Sequence, residues 1–327
     1  SFEVTSRCNL RCQHGYLPAK DRSLGQAADL GTEEIFRILD EISAAGCLFL
    51  LITGGDPFLR KDFLEIYTYA QRKGLILTIF TNGATLTPRL ADALAARPPF
   101  QIEITLYGAT EETYERVTRV PGSYQRCLRG IHLLLERRLP LALKAMLMNV
   151  NAHEIDEMRS MANRLGTNFR FDPILNAAID QPGRPSALRL SPEEVVNIET
   201  SDPGRATALR EQFLALSATY PHTTQAYVCQ AGKNNFHIDA HGMLSGCIAS
   251  RASPFDLRQG SFMEGWTTTI AQESRRQYTP GMPCTACPSR LVCPQCPAKS
   301  ALEYGNPEKI VDYYCRITQL RKEAFAH

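Results

Sequence analysis

Eleven cysteines are spread unevenly over the 327 residues. Cys8 and Cys12 open the chain, Cys47 and Cys127 stand alone, and seven fall between Cys229 and Cys315. Short spacing is concentrated at Cys8-x3-Cys12 and at Cys284-x2-Cys287-x5-Cys293-x2-Cys296. In a reducing compartment, cysteines paired this closely mark metal or redox chemistry rather than structural disulfides. A disulfide framework is the bland alternative for the C-terminal group. A zinc ribbon is the metal alternative, since two C-x2-C pairs suit tetrahedral zinc, but zinc leaves the other three cysteines of that group without a role. Cys47, in Gly46-Cys47-Leu48, and Cys127, on a helical face, read as buried packing thiols.

Such residues need a frame. From Phe2 to about Pro173, short β-branched or apolar runs alternate with amphipathic helical patterns. That rhythm implies parallel strands joined by right-handed helical crossovers. Strands are expected at Phe2–Ser6, Leu48–Ile52, Ile76–Phe80, Gln101–Thr105, Leu141–Leu147 and Asn168–Asp172. Helices should begin near Thr32, Asp62, Thr87, Tyr124 and His153, with Thr32 and Thr87 as N-caps and Gly74 as a C-cap. Too few units are present for a closed eight-stranded barrel, so the fold class is α/β, a partial (β/α)6 TIM-like barrel. Functional residues should gather at the carboxyl ends of its strands. The polar and glycine-rich segments Arg7–Tyr16, Thr53–Pro57, Thr81–Gly83 and Leu106–Thr110 fall there.

Residues 176–228 read as a bridge, with Pro182-Gly183 and Pro185 in a loop and a helical pattern after Ser191. From 229 to 327 cysteine, proline and glycine dominate, as in a small metal-supported domain. The barrel is expected to occupy 1–175.

The stretch Cys8-Asn9-Leu10-Arg11-Cys12-Gln13-His14-Gly15-Tyr16 resembles the signature of the radical S-adenosylmethionine (SAM) superfamily. There, a C-x3-C-x2-C pattern holds a [4Fe–4S] SAM cluster whose open iron chelates SAM. Electron transfer then cleaves SAM to a 5′-deoxyadenosyl radical that abstracts hydrogen. The resemblance makes Cys8 and Cys12 cluster ligands and His14 the ring beside the cluster. Gly15 stands where the third cysteine belongs, and glycine has no side chain to coordinate iron. An engineered knockout, a naturally degenerate site and an introduced substitution are the competing explanations. The intact surroundings fit an altered copy of a working enzyme better than a long-decayed one.

Thr53-Gly54-Gly55-Asp56-Pro57 is similar to the family's Gly-Gly-Glu-Pro segment, whose backbone polar groups bind the SAM amino group, which implies that role for Gly54, Gly55, Asp56 and Pro57. Thr81-Asn82-Gly83 and Thr105-Leu106-Tyr107-Gly108-Ala109-Thr110 resemble segments near SAM, which adds Thr81, Asn82 and Thr105. Lys144 could pair with the SAM carboxylate or lie in an ion pair of its own. Asp172, ending strand six, could contact substrate, take a proton or cap a loop.

The seven-cysteine order after residue 228, with Gly242 between Cys229 and Cys247, resembles the SPASM domain, a cysteine-rich α+β extension holding two auxiliary [4Fe–4S] clusters in peptide-modifying enzymes. Pro294-Gln295 gives a spacing of two where the family usually has three. Carried over, Cys284, Cys287, Cys293 and Cys315 would ligate the outer cluster. Cys229, Cys247 and Cys296 would ligate the inner one, leaving an iron open or held by another ligand or a substrate thiol. The likeness is closest to peptide-modifying enzymes, including Phe171-Asp172-Pro173 and Gly232-Lys233-Asn234-Asn235. It implies a SAM-cleaving oxidoreductase that installs a thioether or carbon–carbon cross-link in a ribosomally made precursor peptide. Implied partners are an electron donor such as flavodoxin or ferredoxin, and a peptide-leader recognition protein. Side-chain oxidation of the sulfatase-maturase kind, haem-precursor modification and a non-catalytic peptide-binding scaffold are the alternatives.

Lys and Arg total 36 against 34 acidic residues, so no charge excess points to nucleic acid or an anionic membrane. No apolar run reaches the length of a membrane span and no signal-peptide pattern is present, so a cytoplasmic location is expected. Because Ser1 leads almost directly into a strand, further residues are expected upstream.

Overall fold

The computed structural model describes residues 1–16, 28–179, 185–217 and 223–325. Its frame is a run of six parallel strands: β1 (Phe2–Glu3), β2 (Phe49–Thr53), β3 (Ile76–Thr81), β4 (Gln101–Leu106), β5 (Leu141–Met146) and β6 (Asn168–Asp172). Each pairs in parallel with the next. This is the partial barrel expected, with boundaries moved by a few residues at most. The crossovers are α1 (Thr32–Ala44), α2 (Phe63–Arg72), α3 (Pro88–Ala96), α4 (Glu111–Thr118), α5 (Ser123–Glu136) and α6 (Ile155–Arg164). Their apolar stripes, such as Ile35, Ile38 and Ile42 on α1 and Ile131 and Leu134 on α5, pack in one core with Phe2, Ile52, Ile79, Ile104 and Leu143 of the strands.

The caps show how local sequence starts these helices. The Thr87 hydroxyl accepts from the Leu90 N–H, as an N-cap should. Thr32 is not a cap. Gly31 takes that position, its N–H donating to Glu34, while the Thr32 hydroxyl donates to Asp62 at 2.6 Å. Gly74 follows α2 at φ +81°, the left-handed conformation that glycine tolerates at a C-terminus. Cys127 is buried, as expected, but Cys47 is only half-buried and its thiol donates to the Phe49 carbonyl.

Beyond the barrel, α7 (Pro192–Ser201) starts at a Ser191 capping box and is followed by α8 (Pro203–Ser217). Pro182-Gly183 lies outside the described residues. Three short strands, β7 (His237–Ile238), β8 (Met243–Ser245) and β9 (Phe255–Asp256), then extend the same sheet from its β1 edge, giving the order β6-β5-β4-β3-β2-β1-β7-β8-β9. The C-terminal region is therefore joined to the barrel by backbone pairing, Phe2 opposite Ile238. Four helices complete it: α9 (Phe262–Gly265), α10 (Ala271–Ser274), α11 (Pro297–Tyr304) and α12 (Asp312–Phe325), the last packed on α7 and α8. Among the described residues no helix is long and apolar enough to cross a membrane.

Candidate active site

A cavity of about 670 Å³ opens at the carboxyl ends of the parallel strands. Cys8, Cys12, His14 and Gly15 line it from the loop after β1. Backbone bonds from Arg11 N to the Thr118 carbonyl and from Gln13 N to the Val117 carbonyl pin that loop to the end of α4. Tyr107, from the segment after β4, meets it from the other side. Its hydroxyl hydrogen-bonds the Cys12 thiol, and its ring centroid lies 5.1 Å from that of His14. Burial, with Cys12 and Cys8 close by, raises the Tyr107 phenol well above its ordinary value, so it stays protonated.

Gly54 and Gly55 form the next part of the wall because only glycine fits there. A Cβ on Gly54 would lie 2.2 Å from the Thr5 carbonyl oxygen, and one on Gly55 2.1 Å from that of Arg7. Asp56 and Pro57 do not line the cavity. The fully buried Asp56 carboxylate instead latches two loops together. One oxygen accepts from the Thr81 hydroxyl at 2.7 Å and the Asn82 N–H at 3.0 Å, the other from Thr85 and Phe58, each at 3.1 Å. Burial without a cation pushes this carboxyl above its ordinary value, opposed by the four donors. Thr81, Asn82 and Thr105 do line the cavity.

Lys144 lines it too, but in an ion pair, its ammonium 3.5 Å from Glu103 and over the Phe80 ring. Burial pulls its pKa well below the ordinary lysine value, against the pull of Glu103. Asp172 is at the rim, one oxygen accepting from the Ile174 N–H at 2.9 Å, which is the loop-capping role. From the C-terminal region come Asn235, Phe236, Gly246, Cys247 and Ile248. The wall thus runs from Cys8 to Cys247.

None of the eleven cysteines is in a disulfide. Those of the C-terminal region form two neighbourhoods. Cys315 is pushed up to about 11 by burial and then by Cys293, Cys284 and Cys287, and Cys284 is raised by burial and then by Cys293 and Cys287. Cys296 is raised by burial and then by Cys247 and Cys229, and Cys247 by burial and Cys229. Four thiols in one group and three in the other suit iron–sulfur ligation. Among the described residues no three His, Cys, Asp or Glu side chains are placed to share a single metal ion. At the N-terminal loop the donor set is two thiols, and Gly15 adds none, so the residues present do not supply three thiolates to a SAM cluster.

Sequence reasoning missed Glu103, Arg170 and Glu154. Glu154 accepts from the Ala109 and Thr110 N–H groups and from the Thr110 and Thr113 hydroxyls, fixing the segment that carries Tyr107. Only the alternation of β6 hinted at Arg170, two residues before Asp172 on the same face.

Residues 2–162 match the radical SAM superfamily. An AdoMet-dependent heme synthase of Methanosarcina barkeri is 31% identical over 166 residues, 51% of this chain and 47% of that protein. A PqqA peptide cyclase of Ruegeria pomeroyi is 32% identical over 164 residues, 50% of this chain and 43% of that protein. The chain spans about half the length of the curated relatives it matches. In fold, the chain aligns over 99% of its length with 96% of native anSMEcpe with bound AdoMet, at a TM-score of 0.71 and 15% identity. With their glycine cradle, strand-end cavity and cysteine loop, residues 2–162 of the chain belong to the radical SAM superfamily.

Proposed function

We propose that this chain is a radical SAM framework of the SPASM type, built to bind SAM and a ribosomally made peptide in one cavity and to modify that peptide, and that Gly15 withholds its SAM cleavage. The observation that carries this reading is the single cavity wall joining Cys8, Cys12 and the Gly54–Gly55 cradle to Cys247. SAM would lie against Gly54, Gly55, Thr81, Asn82 and Thr105, and the peptide toward Asp172, Phe236 and Cys247. His14 and Tyr107 shield the Cys8–Cys12 loop. Residues 1–175 form the barrel in this reading, 176–228 the bridge, and 229–327 the cluster-bearing domain.

Cys284, Cys287, Cys293 and Cys315 would hold one auxiliary [4Fe–4S] cluster and Cys229, Cys247 and Cys296 a second with one iron free of cysteine. Such clusters supply one-electron chemistry when bound. Because Cys247 lines the cavity, a thiol of the bound peptide can reach the inner group, which favours a thioether over a carbon–carbon product. An electron donor of the flavodoxin or ferredoxin kind completes the proposal. The similarity to a heme synthase supports haem-precursor modification as a second reading.

Gly15→Cys tests the first reading. Anaerobically reconstituted Gly15→Cys protein should gain one further cluster by iron and sulfide analysis and release 5′-deoxyadenosine from SAM under strong reductant. Gain of neither refutes the proposal.

A further inference from the structure

Across the floor of the cavity, Lys144 on β5 sits in register with Arg170 on β6, both facing in. Two cations directly opposite on neighbouring strands repel. Glu103 offsets them with a single oxygen, Oε2, which takes the Lys144 ammonium at 3.5 Å and the Arg170 Nε and Nη2 at 3.2 and 2.5 Å. The Glu103 side chain is 10% exposed and that of Lys144 14%, but that of Arg170, which lines the cavity, is 55% exposed. Since a guanidinium carries five N–H donors, the pairing with Glu103 uses one edge and leaves the other turned outward. The ring of Phe80 lies under both cations, so neither can fold back toward the barrel interior. The remaining charge on this wall is Asp172, one of whose oxygens is already held by the Ile174 N–H.

We infer that Arg170 is a specificity residue that takes a carboxylate of the substrate. It binds through the free edge of its guanidinium, with Glu103 holding the group in place. This rests on the proposed function, because it places substrate against the β5–β6 wall of the cavity. The carboxylate has two sources, an acidic side chain of a peptide or a propionate of a tetrapyrrole, and both meet the same planar donor pair. Asp172, on the same strand face, opposes the ligand's charge and sets how strongly it is held.

Two probe pairs test this by fluorescence titration of the full chain: coproporphyrin III against its tetramethyl ester, and the labelled tripeptide amide Ala-Glu-Tyr against Ala-Gln-Tyr. In the protein as it stands, one acid should bind about tenfold or more tighter than its neutral partner. Whichever pair discriminates identifies the source. Arg170→Gln should abolish the preference, Arg170→Lys should keep part of it, and Asp172→Asn should increase it. Equal binding of acid and neutral forms in both pairs, or a preference surviving Arg170→Gln, overturns the inference. Gly15→Cys protein that cleaves SAM while showing no acid preference removes this inference alone. Absence of both cleavage and cluster gain removes the function on which it rests.

Discussion

Asp56 offers a sharp test of how the site is held. The family likeness gives the backbone of its segment to the SAM amino group, and in the structure its side chain is a latch beneath the cavity wall, with every bond directed at the loops after β2 and β3. Asp56→Ala leaves four donors without their acceptor. The Thr81 and Thr85 hydroxyls can rotate, but the Asn82 and Phe58 N–H groups cannot. Stranding two such groups costs about 2–6 kcal/mol at the usual penalty for an unmade buried bond. Part of this is offset because the substitution also removes a fully buried carboxylate that has no cation. A net loss of about 2–4 kcal/mol in urea unfolding is expected. Asp56→Asn keeps the shape but has one acceptor oxygen for two pairs of donors, so about half that loss should remain. SAM affinity, measured by calorimetry on anaerobic protein, should fall with stability in both variants, because Asn82 and the glycine cradle shift together. If Asp56→Asn weakens SAM binding at unchanged stability, the carboxylate is a ligand and the latch argument is wrong.

Iron and sulfide analysis of anaerobically reconstituted protein should find about two [4Fe–4S] clusters, and zinc in protein isolated without oxygen would defeat the auxiliary-cluster assignment. Gly130→Ala places a Cβ 2.1 Å from the Gly83 carbonyl oxygen, so α5 must shift from the Thr81–Gly83 segment, with a stability loss of about 1–3 kcal/mol in urea. A loss under about 0.5 kcal/mol would show that the helix gives way freely. Burial holds His237 below its ordinary 6.5, beside Glu3 and Arg251. The unfolded chain therefore takes up a proton near that pH while the folded one does not. Stability should fall as pH drops through that value, and His237→Gln should flatten the slope of the urea midpoint. An unchanged slope would place the titration elsewhere.

The barrel was legible because strands β2 to β6 are each long enough for a pattern and most of its helices carry one apolar stripe. β6 runs from Asn168 to Asp172 as read, and the others differ at their ends. β1 stops at Glu3 because Thr5 and Ser6 turn their donors to Asp29. α4 escaped notice because its sequence, Glu-Glu-Thr-Tyr-Glu-Arg-Val-Thr, is mostly polar, although the Thr110 cap was there to be seen. β7, β8 and β9 have two or three residues each, too few for any period, and it is their pairing onto β1 that ties the cysteine-rich region to the barrel.

At the site, sequence order names the groups but not their company. Lys144 could be read as free for SAM only because Glu103, distant in sequence, is invisible until β4 and β5 pair. The cysteines make the same point more strongly. Read along the chain, Cys293-x2-Cys296 looks like one half of a zinc ribbon, and a ribbon needs both sulfurs on one ion. In the fold the pair divides. Cys296 caps α11, its sulfur accepting from the Lys299 N–H at 3.5 Å, and faces Cys247 and Cys229. Cys293 faces Cys287, and Cys315 arrives from α12 to complete that group. A divided pair fits two separate groups of ligands and does not fit one tetrahedral ion shared by both C-x2-C pairs, so the arrangement disfavours the single zinc ribbon.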